Sequence, residues 1–204
     1  HDSITEYSGE KELLLSSITN NAFSIPIKFN NEDIKIEYID FIHDPINEVI
    51  LNNPEGSSEV LEFIIPSSKG GMQSEYLLKN NEKDIQGIKL GFESDIETDF
   101  QISKKDTLFY FICKYDIEYM KMSDQSKGLL IKNKLHPLNQ KTLYTILDKN
   151  IVFKDYFDNA ILRQISSNIK NDDSMLDLLK IKLSILDQDT IIHLFGARGV
   201  FSAK

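Results

Sequence analysis

The chain has 204 residues, 41% of them hydrophobic and 27% charged, with a formal net charge of -9. A chain of this size and mix buries the core of one large or two small domains, which excludes wholesale disorder, and no apolar run nears the roughly 18 residues of a membrane-spanning helix. The single cysteine, Cys113, excludes an intrachain disulfide and a multi-cysteine zinc site, and two arginines, Arg163 and Arg198, leave little for bidentate phosphate or guanine recognition.

In AFSIPIKF (22–29), Phe23, Ile25, Ile27 and Phe29 alternate and share one face of a strand. Pro26 has no N–H for a ladder and predicts an edge strand or a bulge. Past Asn30–Asp33, Ile34, Ile36 and Tyr38 alternate again, so the pair predicts a β-hairpin with a four-residue loop. FIHDP carries the adjacent His43 and Asp44 also found in metal-dependent phosphohydrolases. Pro45 holds Asp44 out of a helix, and the stretch predicts a turn at a strand end.

Further strands are predicted over 59–65, 85–92 and 106–115. The last is apolar on both faces, as at the centre of a layered core, with Cys113 an inert buried thiol. Turn-rich stretches lie at 52–58 and 66–71; PSSKGG, in the second, lacks the Gly-Lys-Ser/Thr of a phosphate loop. Glu93, Asp95, Glu97 and Asp99 occupy every second position, which on a strand gathers four carboxylates on one face, as a hard cation requires. Phe92, Ile96 and Phe100 step by four and fit a single helical turn equally well. Without a glycine turn or a closing bidentate glutamate, a solvated acidic face is the expectation.

Beyond the polar KMSDQSKG (121–128) the period changes. Pro137 suits the first turn of a helix through Leu143, Ile146 and Leu147. Phe153, Phe157, Ile161, Ile165 and Ile169 recur every four residues, a helical stripe. Asp172, Asp173 and Ser174 offer N-cap oxygens for a third helix bearing Leu176, Leu179, Leu183 and Leu186. KIKLSIL (180–186) also alternates, which leaves open a strand followed by a short helix from Thr190. The expected fold is therefore α+β: an antiparallel β-rich region over 1–122 and an α-helical region over 128–204, with one compact domain as the alternative. The charge divides similarly, with a balance of +3 over 128–204 and -12 over the rest.

No catalytic constellation is complete. Leu194–Gly199 has the glycines of a nucleotidyltransferase turn, but no carboxylate follows it, and Asp187 and Asp189 precede it. A helix end at Gly196 is the better fit. Asp33-x-Lys35, with Glu10 or Glu12, is the fragment of a nuclease pattern. His1, His43, His136 and His193 stand at no ligand spacing. A helix-turn-helix over 138–147 and 153–169 would offer Lys154, Arg163 and Gln164, diluted by Asp155 and Asp158. The reading that follows is a non-enzymatic protein-binding or assembly protein, either a component of a multiprotein apparatus or an inhibitor- or immunity-type binder. It calls for no cofactor and no metal. Its partner is a protein, of basic character by charge complementarity, with Val200 and Phe201 as the contact point and nucleic acid disfavoured. The alternatives are a metal-dependent enzyme acting on nucleotides or nucleic acid, and a DNA-binding regulator. Lack of disulfides suits the cytoplasm, while a start at His1 is compatible with a removed targeting segment.

Overall fold

The computed structural model describes residues 21–29, 32–51, 56–67, 70–167, 176–186, 188–197 and 200–203. Among them there is no helix. The strands in chain order are β1 (Ser24–Phe29), β2 (Glu32–Ile42), β3 (Pro45–Leu51), β4 (Ser58–Pro66), β5 (Met72–Leu78), β6 (Asn81–Ile85), β7 (Ile88–Phe92), β8 (Phe100–Lys105) and β9 (Leu108–Cys113). They continue with β10 (Ile117–Lys121), β11 (Lys127–Leu130), β12 (His136–Pro137), β13 (Thr142–Ile146), β14 (Lys149–Ser166), β15 (Asp177–Ile185), β16 (Gln188–Ala197) and β17 (Val200–Ala203). The α+β expectation with a helical C-terminal half is corrected: the described residues are all-β.

The chain forms two compact units, residues 49–162 and residues 1–48 with 163–204. The first is a sandwich. One sheet runs β11-β10-β13-β14-β4-β5, with β3 paired to β14, and the other β12-β9-β8-β7-β6. Their facing side chains form one core rich in aromatic rings, including Phe63, Tyr144 and Phe153 from one sheet and Phe92, Phe100, Phe109 and Phe111 from the other. Phe100 and Phe111 stack with centroids 4.3 Å apart, and Phe109 meets Phe153 edge-on at 5.7 Å. Burial of such rings supplies about 1.5–3 kcal/mol each. In the other unit, β1-β2-β15-β16-β17 form a five-stranded antiparallel sheet.

The predicted helices fail for a physical reason. A stripe at every fourth position satisfies a period of 3.6, but four is also twice the strand period. Phe153, Phe157, Ile161 and Ile165 lie in β14, and Ile169 falls outside the described residues. Register shifts at Phe153/Asp155 and Phe157/Ala160 change which face follows: Phe153 opposes Phe63 on the core side, whereas Phe157 opposes Val60 on the reverse. Pro137 begins no helix; with His136 it pairs with Tyr110 and Phe111 of β9. Leu143 and Ile146 belong to β13, while Leu179 and Leu183 belong to β15. Residues 180–185 are thus strand, and Thr190 continues into β16 rather than a helix. The proposed N-cap residues 172–174 lie outside the described residues.

Turn chemistry fixes the hairpins. Ile146 pairs with Lys149, closing a two-residue loop in which Leu147 and Asp148 take φ of 46° and 65°. Two positive φ values match the right-handed strand twist, but an asparagine or glycine holds that conformation at less cost than leucine. Leu147 is 54% exposed. Leu147→Asn is therefore expected to raise the thermal midpoint, for a gain of about 1 kcal/mol; a lower midpoint would mean that the leucine contributes packing worth more than its backbone strain.

Candidate interaction surface

The five-stranded sheet is amphipathic because three segments alternate in phase. Ile25 opposes Ile36, and Ile27 opposes Ile34. Ile36 in turn opposes Leu183, Ile34 opposes Ile185, and Tyr38 opposes Ile181, which opposes Ile192. Directly opposed residues share a face, so these side chains line one apolar surface. Phe23 joins it, its ring 5.8 Å from that of Tyr38 and edge-on. The hydroxyl of Tyr38, the polar group among these residues, accepts a hydrogen bond from Asn21 Nδ2 at 3.2 Å.

Cover runs out along this face. On β15, Leu179 and Ile181 are buried, at 6% and 9% exposure, but Leu183 and Ile185 two and four residues on are only half-buried. Ile25, Ile27, Ile34, Ile36 and Ile192 are half-buried as well. At the hairpin tip Leu186 is 73% exposed with φ of 54°, a left-handed conformation that leucine adopts at a cost. Side-by-side strands shield an isoleucine partly; full burial needs a second layer.

The reverse face holds the charges. Glu37 accepts from Lys35 at 2.7 Å and from Lys182 at 3.0 Å, and these hydrogen bonds hold its carboxyl below the ordinary carboxylate range. Lys182 also lies 3.6 Å from Asp189, whose carboxyl is lowered chiefly by the Ser184 hydroxyl at 2.6 Å. Lys28 and Asp33 complete the row at 3.8 Å. The edge at β1 is blunted. Tyr38 N donates to Phe23 O, so alternation turns the backbone of Ser24, Pro26 and Lys28 away from β2. Pro26 thus leaves the outer edge without a donor at its middle.

The polar clusters elsewhere are closed on themselves. Glu59 accepts from Lys79 on one carboxylate oxygen. Its other oxygen accepts from Lys104 at 2.6 Å and from the Tyr156 hydroxyl at 2.5 Å. Burial pushes its carboxyl up, but these three donors outweigh it and hold the pKa at about 2. Glu62, 4% exposed, accepts from Ser74 at 2.6 Å and from Lys154 at 2.8 Å, the lysine delivered by the bulge in β14. His43 Nδ1 lies 2.6 Å from Asp177 Oδ1. That contact is half of a general-base pair, yet both nearby serines are engaged elsewhere: Ser166 Oγ accepts from the His43 backbone N–H, and Ser167 donates to Asp44 at 2.5 Å. The cluster clamps a strained turn, with Asp44 at φ of 41°.

The residues singled out in the sequence are dispersed. Glu93 accepts the Lys104 amide at 2.6 Å, and Asp99 accepts the Lys89 amide at 3.1 Å. Both staple the short connection that sets β8 parallel to β7. Asp95 and Glu97 are exposed, and Glu97 pairs with Lys114 at 3.1 Å, the lysine that also lies 3.7 Å from Asp99, so these carboxylates are answered by backbone amides and a lysine. Among the described residues no group of three His, Cys, Asp or Glu side chains is arranged to hold a metal. Asp33 is paired with Lys28 and Asp189 with Lys182, while Asp187, Glu10, Glu12, Arg198 and Gly199 lie outside the described residues. Gly196, read as a helix end, is a buried position of β16. Cys113 is 2% exposed and its thiol is pushed up by burial. Its strand is less enclosed than expected, for Leu108 and Ile112 are 60% and 44% exposed. Val200 and Phe201 pair with Ala197 and Gly196 at the far edge of the amphipathic sheet; their side chains lie outside what is described. Among the described residues no helix is long and apolar enough to cross a membrane. No protein-family model, no curated protein and no solved structure matches the chain.

The Glu59 cluster makes a pH prediction. Its folded pKa lies below the ordinary 4.5, so its contribution is complete above that value and is lost as pH falls through about 2. A shift of that size is worth up to about 3 kcal/mol. Urea unfolding across this range should show wild type losing stability more steeply than Glu59→Gln, with parallel curves showing that the cluster contributes nothing through ionisation.

Proposed function

We propose that the chain is a non-enzymatic protein-binding or assembly module that works through the apolar face of its five-stranded sheet. The observation that carries this is the loss of cover along one face: Leu179 and Ile181 are buried, while Leu183 and Ile185 on the same face of the same strand are not. Contiguous exposed apolar surface costs a protein solubility and is retained where something covers it. The polar clusters favour no chemistry instead, because their carboxylates and hydroxyls are spent on lysines, backbone amides and one another. The partner meets aliphatic side chains. The ion pairs of this sheet lie on its other face, where lysines and carboxylates answer one another, while Glu32, Gln188 and Thr190 stand beside the aliphatic side chains on this one.

A photo-crosslinking residue tests the assignment in cells that make the protein. Placed at Ile36 it is expected to yield discrete protein adducts, and placed at Lys35, on the reverse face, none. Equal labelling from both positions, or none from Ile36 in folded protein, would remove the proposed surface.

A further inference from the structure

We infer that the sandwich holds a binding site for a small organic acid, one ring bearing a carboxylate, at the edge formed by β11 and β12. A cavity of about 170 Å³ lies there, walled by Tyr119, Leu130, Pro137 and Tyr144, with Lys121 and Asn139 among its polar groups. Strand pairing builds it. Tyr119 stands directly opposite Tyr144 on one side and Gly128 on the other, and Lys121 stands opposite Thr142. Tyr144 is buried in the core and its hydroxyl accepts the Asn139 amide at 2.8 Å, so that wall is fixed. Gly128 lets the Tyr119 ring lie against β11, where a Cβ would come within 2.7 Å of it. The space left over matches a single ring, since an apolar cavity of ~150 Å³ takes up benzene.

Charge selects the rest of the ligand. The chain carries 32 acidic residues against 23 basic ones, yet residues 125–147, which supply most of the lining, contain no Asp or Glu. The same segment holds Lys127, Lys132, Lys134 and Lys141. A second hollow of about 330 Å³ shares Lys121, Asn139 and Thr142 with the first and adds Lys141. Elsewhere in the sandwich Lys79, Lys83, Lys104 and Lys154 each meet a glutamate. Lys121 and Lys141 form no ion pair among the described residues, and the Asn139 carboxamide and Tyr119 hydroxyl make no hydrogen bond there. Of the acids closest to Lys121 in sequence, Glu118 is on the other face of β10 and Asp124 accepts the Ser126 amide at 3.0 Å. A ring between the tyrosines with its carboxylate at these ammoniums answers both halves of the site, an apolar wall and a few convergent polar groups. A neutral sugar leaves the lysines unanswered, and inorganic phosphate leaves the rings unused. A ligand this small, held by exposed ammoniums, binds with a Kd of about 1 mM.

Titration of the full isotope-labelled chain with sodium benzoate, read from amide chemical shifts, tests the site. Saturable shifts are expected at Tyr119, Lys121 and Tyr144. Benzyl alcohol, which keeps the ring without the charge, and acetate, which keeps the charge without the ring, should each bind about 5-fold more weakly or worse. The double variant Lys121→Gln/Lys141→Gln changes two exposed side chains and should weaken benzoate by about 5-fold while leaving benzyl alcohol unchanged. Gly128→Ala displaces the Tyr119 ring and should weaken both compounds. No saturable shift up to about 20 mM, or shifts confined to other surfaces, overturns the site, as does wild-type affinity in folded Gly128→Ala protein. Benzyl alcohol binding as tightly as benzoate, or benzoate indifferent to the lysine variant, overturns the acid. Acetate binding as tightly as benzoate overturns the ring.

Discussion

The architecture depends on one strand, β14, and on the two register shifts in its pairing with β4. An unbroken strand of its length would keep the same alternation from end to end and commit every odd residue to one face. The first shift lets Phe153 and Tyr156 face the core side, opposite Phe63 and Leu61, while Phe157 goes to the other face opposite Val60. It also delivers Lys154 to Glu62, a carboxylate that lies directly opposite Asp155 and would otherwise be buried beside a like charge. The strand then runs on to Ser166, whose hydroxyl accepts the His43 amide, with Ser167 holding Asp44. Those contacts fix the end of β2, and β2 sets the register of β15.

Two kinds of surface result. In the sandwich, apolar residues meet across the layers, and no buried side-chain nitrogen or oxygen among the described residues lacks a hydrogen-bond partner. Its buried polar groups are thus satisfied within the fold, which favours one rigid arrangement of the sandwich. The five-stranded sheet gathers most of its aliphatic side chains on one face and its ion pairs on the other, with Ile191 on the ion-pair face and Glu32, Gln188 and Thr190 on the aliphatic one as the exceptions. Ion pairs this exposed add little stability. Their effect is to keep one face wet, which leaves the aliphatic face as the surface with free energy still to gain.

Strands were legible wherever alternation was strict. Phe23–Ile27 and Ile34–Tyr38 became the β1–β2 hairpin, although its loop is two residues and not four, since Phe29 already pairs with Glu32. The same alternation in 180–186 was visible but competed with a leucine stripe of helical spacing, and only pairing with β2 on one side and β16 on the other resolves it. The stripe from Phe153 misled because most of its intervening residues are polar or charged, so little beyond Tyr156, Ala160 and Leu162 marked the second face that a bulged strand goes on to use. Pairings of long range carry no local signal. His43 and Asp177 are 134 residues apart, and Glu59 meets Tyr156 from 97 residues away. The members of the apolar face were each readable as one side of a strand; that three segments would bring those sides into one plane is a property of the order β1-β2-β15-β16.

That order also bears on what kind of assembly the sheet permits. A sheet can recruit another chain at its edge or on its face, and edge pairing propagates because each added strand presents a new edge. Here the edge at β1 carries Pro26 with its backbone turned outward, which removes a donor from the middle of the strand, and Lys28 beside it adds a charge that is 82% exposed. Both features oppose edge-to-edge growth. Neither touches the aliphatic face, which the alternation keeps free of proline and lysine. Its polar groups, Glu32, Gln188 and Thr190, stand at the strand ends and on β16, whereas on the reverse Lys35, Glu37 and Lys182 sit at central opposed positions. With proline and lysine on the edge and aliphatic side chains on the face, the sheet disfavours open-ended strand addition at β1.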